Sequence, residues 1–420
     1  MLTRDALTAR FVEARRGTEA LAAPLSPEDQ SLQSQPDSSP TKWHRAHTTW
    51  FFETFALAPR GVAPFDPRYG FLFNSYYEAV GPRHARPRRG LLSRPSCEEV
   101  TEYRRAVDGR VVEMLASASE ADLAALAPII TLGVAHEEQH QELILTDILH
   151  ALSLNPLKPA YRPCSLVRDE GGAAHPAVSW RRFEGGLVEV GAAEGDGFAF
   201  DNERPRHRAW IDPFELASRA VTVGEALAFM ADGGYETPSL WMSAGWDWAR
   251  ANEVTAPGHA RVEGGALVVF GVDGERQADA GEPVCFVSWY EADAMARYFG
   301  ARLPTEEEWE HAAAGEPLAG NFRESGALRP RRTTSTSGVS QLFGDVWEWT
   351  RSSYEPFPGY APAGGALGEY NGKFMVNQRV LRGGSCFSNA AHLRATYRNF
   401  WHPDTRFQAS GLRLARDARG

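Results

Sequence analysis

Apolar positions recur at helical spacing through the first third of the chain, and the periodicity stops near residue 150. Leu7, Phe11, Ala14 and Leu21 predict a helix over residues 4–22. Pro24, Pro27, Pro36 and Pro40 break the pattern, and Pro40 followed by helix formers marks a second helix over about 41–58. Residues 98–118 and 121–150 predict two more, the last with Ile144, Leu145, Ile148 and Leu149 as apolar bulk. Four such stretches predict an antiparallel bundle over residues 1–155. Prolines and glycines then crowd a non-periodic stretch, read as a linker over 156–178. From 179 to 420 helical patterning is confined to 223–231, 288–299 and 305–313. Short strand-like runs such as 186–191 and 379–385 fill the remainder with glycine and tryptophan. The expected fold class is α+β: a four-helix bundle, then a domain rich in irregular loops.

One predicted helix carries a dense set of metal-binding side chains. His136 and His140 stand four apart and fall within about 40° of each other on one helix face. Gln139 flanks the same face, whereas Glu142 points away. The letters His136-Glu137-Glu138-Gln139-His140 fit the zinc-protease pattern H-E-x-x-H, with Glu137 as general base. They fit equally a metal site inside a helix bundle whose third ligand comes from a facing helix. His44 and His47, three apart on the second helix, are within reach of that role, or are core histidines with satisfied hydrogen bonds. Tyr76 and Tyr77 are adjacent on an irregular segment, so one ring faces inward, where a phenol near a metal can donate a proton. The cluster running from Arg83 to Arg94 is either a solvated loop or a carboxylate clamp, for which arginine's planar fork is suited.

Charge and cysteine usage narrow the classes. A net charge of −10 argues against a nucleic-acid binder, since no global positive field attracts phosphate. The four cysteines are widely spaced and form no C-x-x-C, which disfavours a disulfide framework or a structural zinc site. The first residues lack a signal core and no apolar run reaches the length of a membrane span, so a cytoplasmic home with no membrane partner is expected.

Five words in the second half carry a family resemblance. They are Pro283 to Ala292 (P-V-C-F-V-S-W-Y-E-A), Ala301 to His311 (A-R-L-P-T-E-E-E-W-E-H), Phe343 to Trp349 (F-G-D-V-W-E-W), Leu381 to Ser385 (L-R-G-G-S) and Gly411 to Arg416 (G-L-R-L-A-R). This half resembles the formylglycine-generating-enzyme, or sulfatase-modifying-factor, fold, which is related to C-type lectins. The first half resembles a DinB-type bundle with three histidines. The pairing is similar to the ergothioneine-biosynthesis sulfoxide synthases, which use iron(II) and oxygen to join a thiol to C2 of hercynine (trimethylhistidine). Formylglycine generation itself is disfavoured, because Cys386 follows the L-R-G-G-S word with no second cysteine downstream. The domain is then expected to serve as a scaffold forming one wall of the iron site.

The resemblance implies roles residue by residue. The family's Trp-x-x-Ala-His word matches Trp43 to His47, which makes His47 a ligand with His136 and His140, and His44 not one. Three imidazoles leave half an octahedron open. Gln139, Asn399, Phe400 and Trp401 match the hercynine-binding residues, the aromatic pair resembling the branch that uses cysteine directly. Aromatic faces also suit a quaternary ammonium. Tyr76, supported by Tyr77, matches the acid or redox-active phenol, and Arg86 and Arg89 match the arginines that hold the thiol's carboxylate. The implied cofactor is Fe(II), with O2 as co-substrate and cysteine as the sulfur donor. Two rivals stand beside this reading: a selenoneine synthase taking a selenosugar on the same scaffold, and a non-catalytic lectin-like module with a relic metal site.

Overall fold

The computed structural model describes residues 3–162, 176–335, 338–362, 364, 368 and 370–418. The expected linker over 156–178 falls largely on residues 163–175, which lie outside the described residues. The chain divides into two compact units, Met1–Arg162 with Gly364–Tyr370, and Pro163–Ala363 with Asn371–Gly420.

The first unit is built on α1 (Arg4–Ala22), α2 (Thr41–Phe52), the short α3 (Tyr69–Phe73), α4 (Cys97–Ser117) and α5 (Glu120–Leu154). Helix α1 packs on α4 and α5, and α2 packs on the same two helices, which makes the expected four-helix arrangement. The starts are set by side chains that satisfy orphan amides. Ser96 and Glu99 form a reciprocal capping box on α4, and the Ser119 hydroxyl accepts from the Asp122 amide on α5. All twelve residues of α2 are buried, polar ones included. Its expected continuation to residue 58 is a single π-helical turn, Glu53–Leu57, and then a 3-10 turn. Tyr103 and the amide of Phe65 both donate to Glu53 there. Gly133 of α5 faces this segment, where a Cβ would come within 2.4 Å of the Phe52 ring.

The second unit opens with β1 (Trp180–Phe183), β2 (Gly186–Val190), β3 (His207–Ile211) and β4 (Phe214–Ala220). Helices α6 (Val223–Ala231) and α7 (Ser243–Ala251) precede the meander β5 (Ala260–Glu263), β6 (Ala266–Gly271) and β7 (Gly274–Gln277). Helices α8 (Trp289–Tyr298) and α9 (Glu306–Ala313) lead to β8 (Trp347–Ser353), β9 (Arg379–Arg382), β10 (Asn399–Trp401), β11 (Ser410–Gly411) and β12 (Arg413–Asp417). Strand β4 is flanked by β1 and β12, both antiparallel. A second sheet runs β10-β9-β8-β11, antiparallel except for the last pair. Helix α7 was not anticipated: it is only nine residues long, and the small residues Gly245 and Ala249 are its only fully buried positions.

Four of the five words that carried the family resemblance turn out to be interlocking halves of buried ion pairs. Arg413, from G-L-R-L-A-R, donates to Glu348 of F-G-D-V-W-E-W at 2.7–3.0 Å, and the Trp309 indole donates to the same carboxylate at 2.7 Å. Arg382, from L-R-G-G-S, reaches Glu306 and Glu310 of the T-E-E-E-W-E stretch at 3.1 and 2.9 Å. Thr305 and Glu308 of that stretch cap α9, and Arg302 holds Glu308 by two bonds of 2.7 Å.

Candidate metal centre

Helices α2 and α5 of the first unit face each other with four histidines between them. His47 comes from α2, His136 and His140 from α5, and one nitrogen of each lies within 4.8 Å of the other two. These are the three expected ligands. His47 is fixed on every side: its Nδ1 donates to the Phe73 carbonyl at 2.6 Å, leaving Nε2 as a lone pair. Its ring is stacked between Trp43 at 4.5 Å and Trp50 at 5.6 Å. The Nε2 atoms of His47 and His136 are 3.1 Å apart, a spacing that requires a proton or a cation between them. His136 packs against Phe51, and its buried Nδ1 has no hydrogen-bond partner among the described residues. Burial pushes the imidazoles of His47, His136 and His140 below the ordinary histidine range, His136 to about 3, and neighbouring imidazoles add to the effect. Neutral, buried, convergent imidazoles are the form in which histidine binds a metal, so the donor set fits a first-row transition ion.

His140 is held from the other side. Its Nδ1 lies 2.7 Å from Nδ1 of His44, whose Nε2 lies 3.0 Å from the Asp147 carboxylate. The same oxygen of Asp147 accepts the Ser39 amide at 2.7 Å. His44 is therefore not part of the three-histidine cluster, yet it touches one member of it.

Glu137, the general base of the zinc-protease reading, faces away from the histidines and is fully buried. It accepts from Arg15 at 2.8 Å, Arg104 at 3.0 Å and Thr18 at 2.6 Å. Its lone pairs are committed to this ion cluster, which removes the protease assignment. Glu142 is buried as well, and Glu138 pairs with Arg10 at 3.2 Å.

Gln139 accepts a hydrogen bond from Tyr370, whose ring stands 5.7 Å from that of His136 and 6.0 Å from that of Tyr76. Tyr370 was not among the expected site residues: 231 positions separate it from Gln139 and no local pattern marks it. The two predicted tyrosines occupy different surroundings. Tyr77 is fully buried against Trp50 and Phe55, whereas Tyr76 is half-buried between Tyr77 and Tyr370. The two predicted arginines also diverge. Arg89 is buried, its guanidinium 3.4 Å from the Trp43 ring centre and bonded to Ser39 at 2.9 Å and Ser75 at 3.0 Å. Burial holds it well below the ordinary arginine range. Arg86 is exposed and donates to the Asp37 carbonyl. Asn399, Phe400 and Trp401 make up β10 of the second unit, all half-buried. Phe400 stacks on Tyr354 at 4.0 Å, Trp401 meets Phe407 at 5.3 Å, and Asn399 accepts from the Phe400 amide.

What the fold and the imidazole cluster define is a class, a DinB-type helical bundle joined in one chain to a sulfatase-modifying-factor domain. Residues 10–144 match the DinB superfamily, and residues 179–336 and 319–418 match the sulfatase-modifying factor enzyme 1-like domain. Three curated relatives are similar over nearly the whole length, each called hercynine oxygenase. That of Mycobacterium tuberculosis is 33% identical over 92% of both chains. That of Mycolicibacterium thermoresistibile is 32% identical over 99% of this chain and 95% of its own. That of Mycolicibacterium smegmatis is 31% identical over 99% of this chain and all of its own. The chain belongs to the hercynine oxygenase family of enzymes. Membership sets aside the non-catalytic lectin-like module. Among the described residues no helix is long and apolar enough to cross a membrane.

Proposed function

We propose that the chain catalyses iron(II)- and O2-dependent C–S bond formation between C2 of hercynine and the sulfur of cysteine. The observation that carries the reading is the set of three buried, convergent imidazoles in a chain of this family. In the net reaction the hercynine C2–H and the thiol S–H are replaced by a C–S bond. Dioxygen is reduced by four electrons, one oxygen atom ending on sulfur as a sulfoxide and the other as water.

His47, His136 and His140 hold the metal. Bound iron(II) supplies a redox centre for dioxygen and a template for both substrates. The chain's own groups bind, orient and move protons. Gln139, with its carbonyl oxygen engaged by Tyr370, turns its amide N–H groups to a hercynine imidazole nitrogen. Tyr370 is the phenol whose ring stands against a ligand imidazole, and we assign it the proton donation, with Tyr76 beside it. Asn399, Phe400 and Trp401 are assigned to hercynine, the aromatic faces to its trimethylammonium group. Arg89 is assigned to the thiol's carboxylate. Its buried guanidinium is held only by hydroxyls and an aromatic face, with no carboxylate hydrogen-bonded to it among the described residues, so a ligand carboxylate supplies the missing charge. Arg86 is assigned to the outer edge of the same anion site.

The test is anaerobic loading with Fe(II), then mass spectrometry of the products from hercynine and O2 with cysteine, γ-glutamylcysteine or a selenosugar. Hercynyl-cysteine sulfoxide that vanishes in His47→Ala is the expected result. An adduct from the selenosugar alone moves the enzyme to selenoneine synthesis, and no product from any donor with iron bound overturns the reading.

A further inference from the structure

We infer that His44 and Asp147 form a positioning relay that fixes His140 in the tautomer with its hydrogen on Nδ1 and so reserves Nε2 for the metal. The inference deepens the metal-centre reading above and rests on it. The argument is an inventory of protons. The Asp147 oxygen is an acceptor that already takes the Ser39 amide at 2.7 Å, so the contact of 3.0 Å from His44 Nε2 carries the imidazole's hydrogen. A neutral imidazole has one hydrogen, which leaves His44 Nδ1 as a lone pair. That lone pair stands 2.7 Å from His140 Nδ1, and two lone pairs do not meet at this distance. The hydrogen between them therefore belongs to His140, and His140 is left with the lone pair on Nε2 to offer a metal.

The surroundings hold this direction. His44 is 2% exposed and Asp147 5%, so water does not compete for the contacts. The relay runs from α5 to α2 and back to α5, seven residues along the same face, so it also fixes the ring of His140 against the opposite helix. His47 reaches the same end by another route, its Nδ1 hydrogen given to the Phe73 carbonyl. Two of the three imidazoles thus have their tautomer dictated by the fold, one by a backbone carbonyl and one by a carboxylate acting through a second imidazole. Groups that act on a ligand in this way typically change metal affinity about 10–100-fold when removed.

The experiment uses the full-length, metal-free protein labelled with 15N-histidine, and long-range 1H–15N correlation reads each tautomer. His140 is expected to carry its hydrogen on Nδ1 and His44 on Nε2. A His140 hydrogen on Nε2 overturns the relay, whether or not the protein binds a metal. Co(II) titration is the second readout. His44→Leu is expected to weaken binding about 10–100-fold, and His44→Gln, which keeps a carbonyl acceptor for the Nδ1–H, to restore most of the loss. Asp147→Asn offers His44 an N–H and is expected to shift His140 towards the Nε2–H tautomer. Wild-type Co(II) affinity in a folded His44→Leu variant overturns the inference. Should the wild type bind no Co(II), the metal-centre reading fails, and the tautomer spectrum still decides the relay.

Discussion

Glu137 and His136 are sequence neighbours that the helix turns to opposite sides, and their burdens differ accordingly. His136 meets other imidazoles, whereas Glu137 neutralises Arg15 and Arg104 inside the bundle. Removing one partner of a buried charge cluster strands the others, at about 3–5 kcal/mol. Glu137→Ala is therefore expected to lower the unfolding free energy by that amount, measured by urea titration. The acid limb follows with its sign. Burial alone pushes the Glu137 carboxyl up, but Arg15, Arg104 and the Thr18 hydroxyl outweigh it and bring it down to about 2. A group depressed in the folded state contributes fully above the ordinary carboxylate range and loses its contribution as pH falls towards 2. Glu137→Gln is expected to flatten the loss of stability between about pH 4.5 and 2, and an unchanged slope would contradict the role. At this scale the three clustered imidazoles were legible: i, i+4 spacing marks His136 and His140, and the Trp-x-x-Ala-His word of the family resemblance marks His47. Asp147 was legible in principle, seven residues after His140 and thus on its face. What hid it was the assumption that a histidine beside a ligand is either a ligand or inert.

Helices with a continuous apolar stripe could be read from the pattern of residues, as α1, α4 and α5 were, to within a few residues of their ends. Short elements could not: α7 has nine residues and fully buries only Gly245 and Ala249, and most strands of the second unit span five residues or fewer. Their pairing is set by long-range contacts that a local window does not contain. The glycines of the L-R-G-G-S word show what the motif encodes. Gly383 has φ +95°, and a Cβ there would lie 2.4 Å from the Leu342 carbonyl oxygen. Gly384 has φ +81°, and its Cβ would lie 2.0 Å from Leu393. Gly383→Ala is expected to cost about 2 kcal/mol or more, a fall of about 4–8 °C in the melting midpoint of this unit. An unchanged midpoint would mean that the backbone relaxes away from Leu342.

Over the whole molecule, the family could be recognised from words spread along both units, while the place of Tyr370 beside the histidines could not. Tyr370 sits against Gln139 and His136, both more than 200 residues away in sequence. Tyr370→Phe is expected to leave Co(II) affinity and melting behaviour unchanged while product formation falls about 100-fold or more, the usual range for a lost general acid. If that loss follows Tyr76→Phe instead, the proton donor is the tyrosine expected from the sequence. Tyr370 belongs to the first unit although the ribosome makes it after most of the second. At roughly 5–20 residues per second, about 10–40 s of synthesis separate the emergence of Arg162 from that of Tyr370. A nascent bundle has all three imidazoles out of the exit tunnel long before the phenol arrives. On the proposed reading, a growing chain would complete its three-imidazole cluster before Tyr370 exists, and a message cut short before residue 370 would encode the cluster without its proton donor.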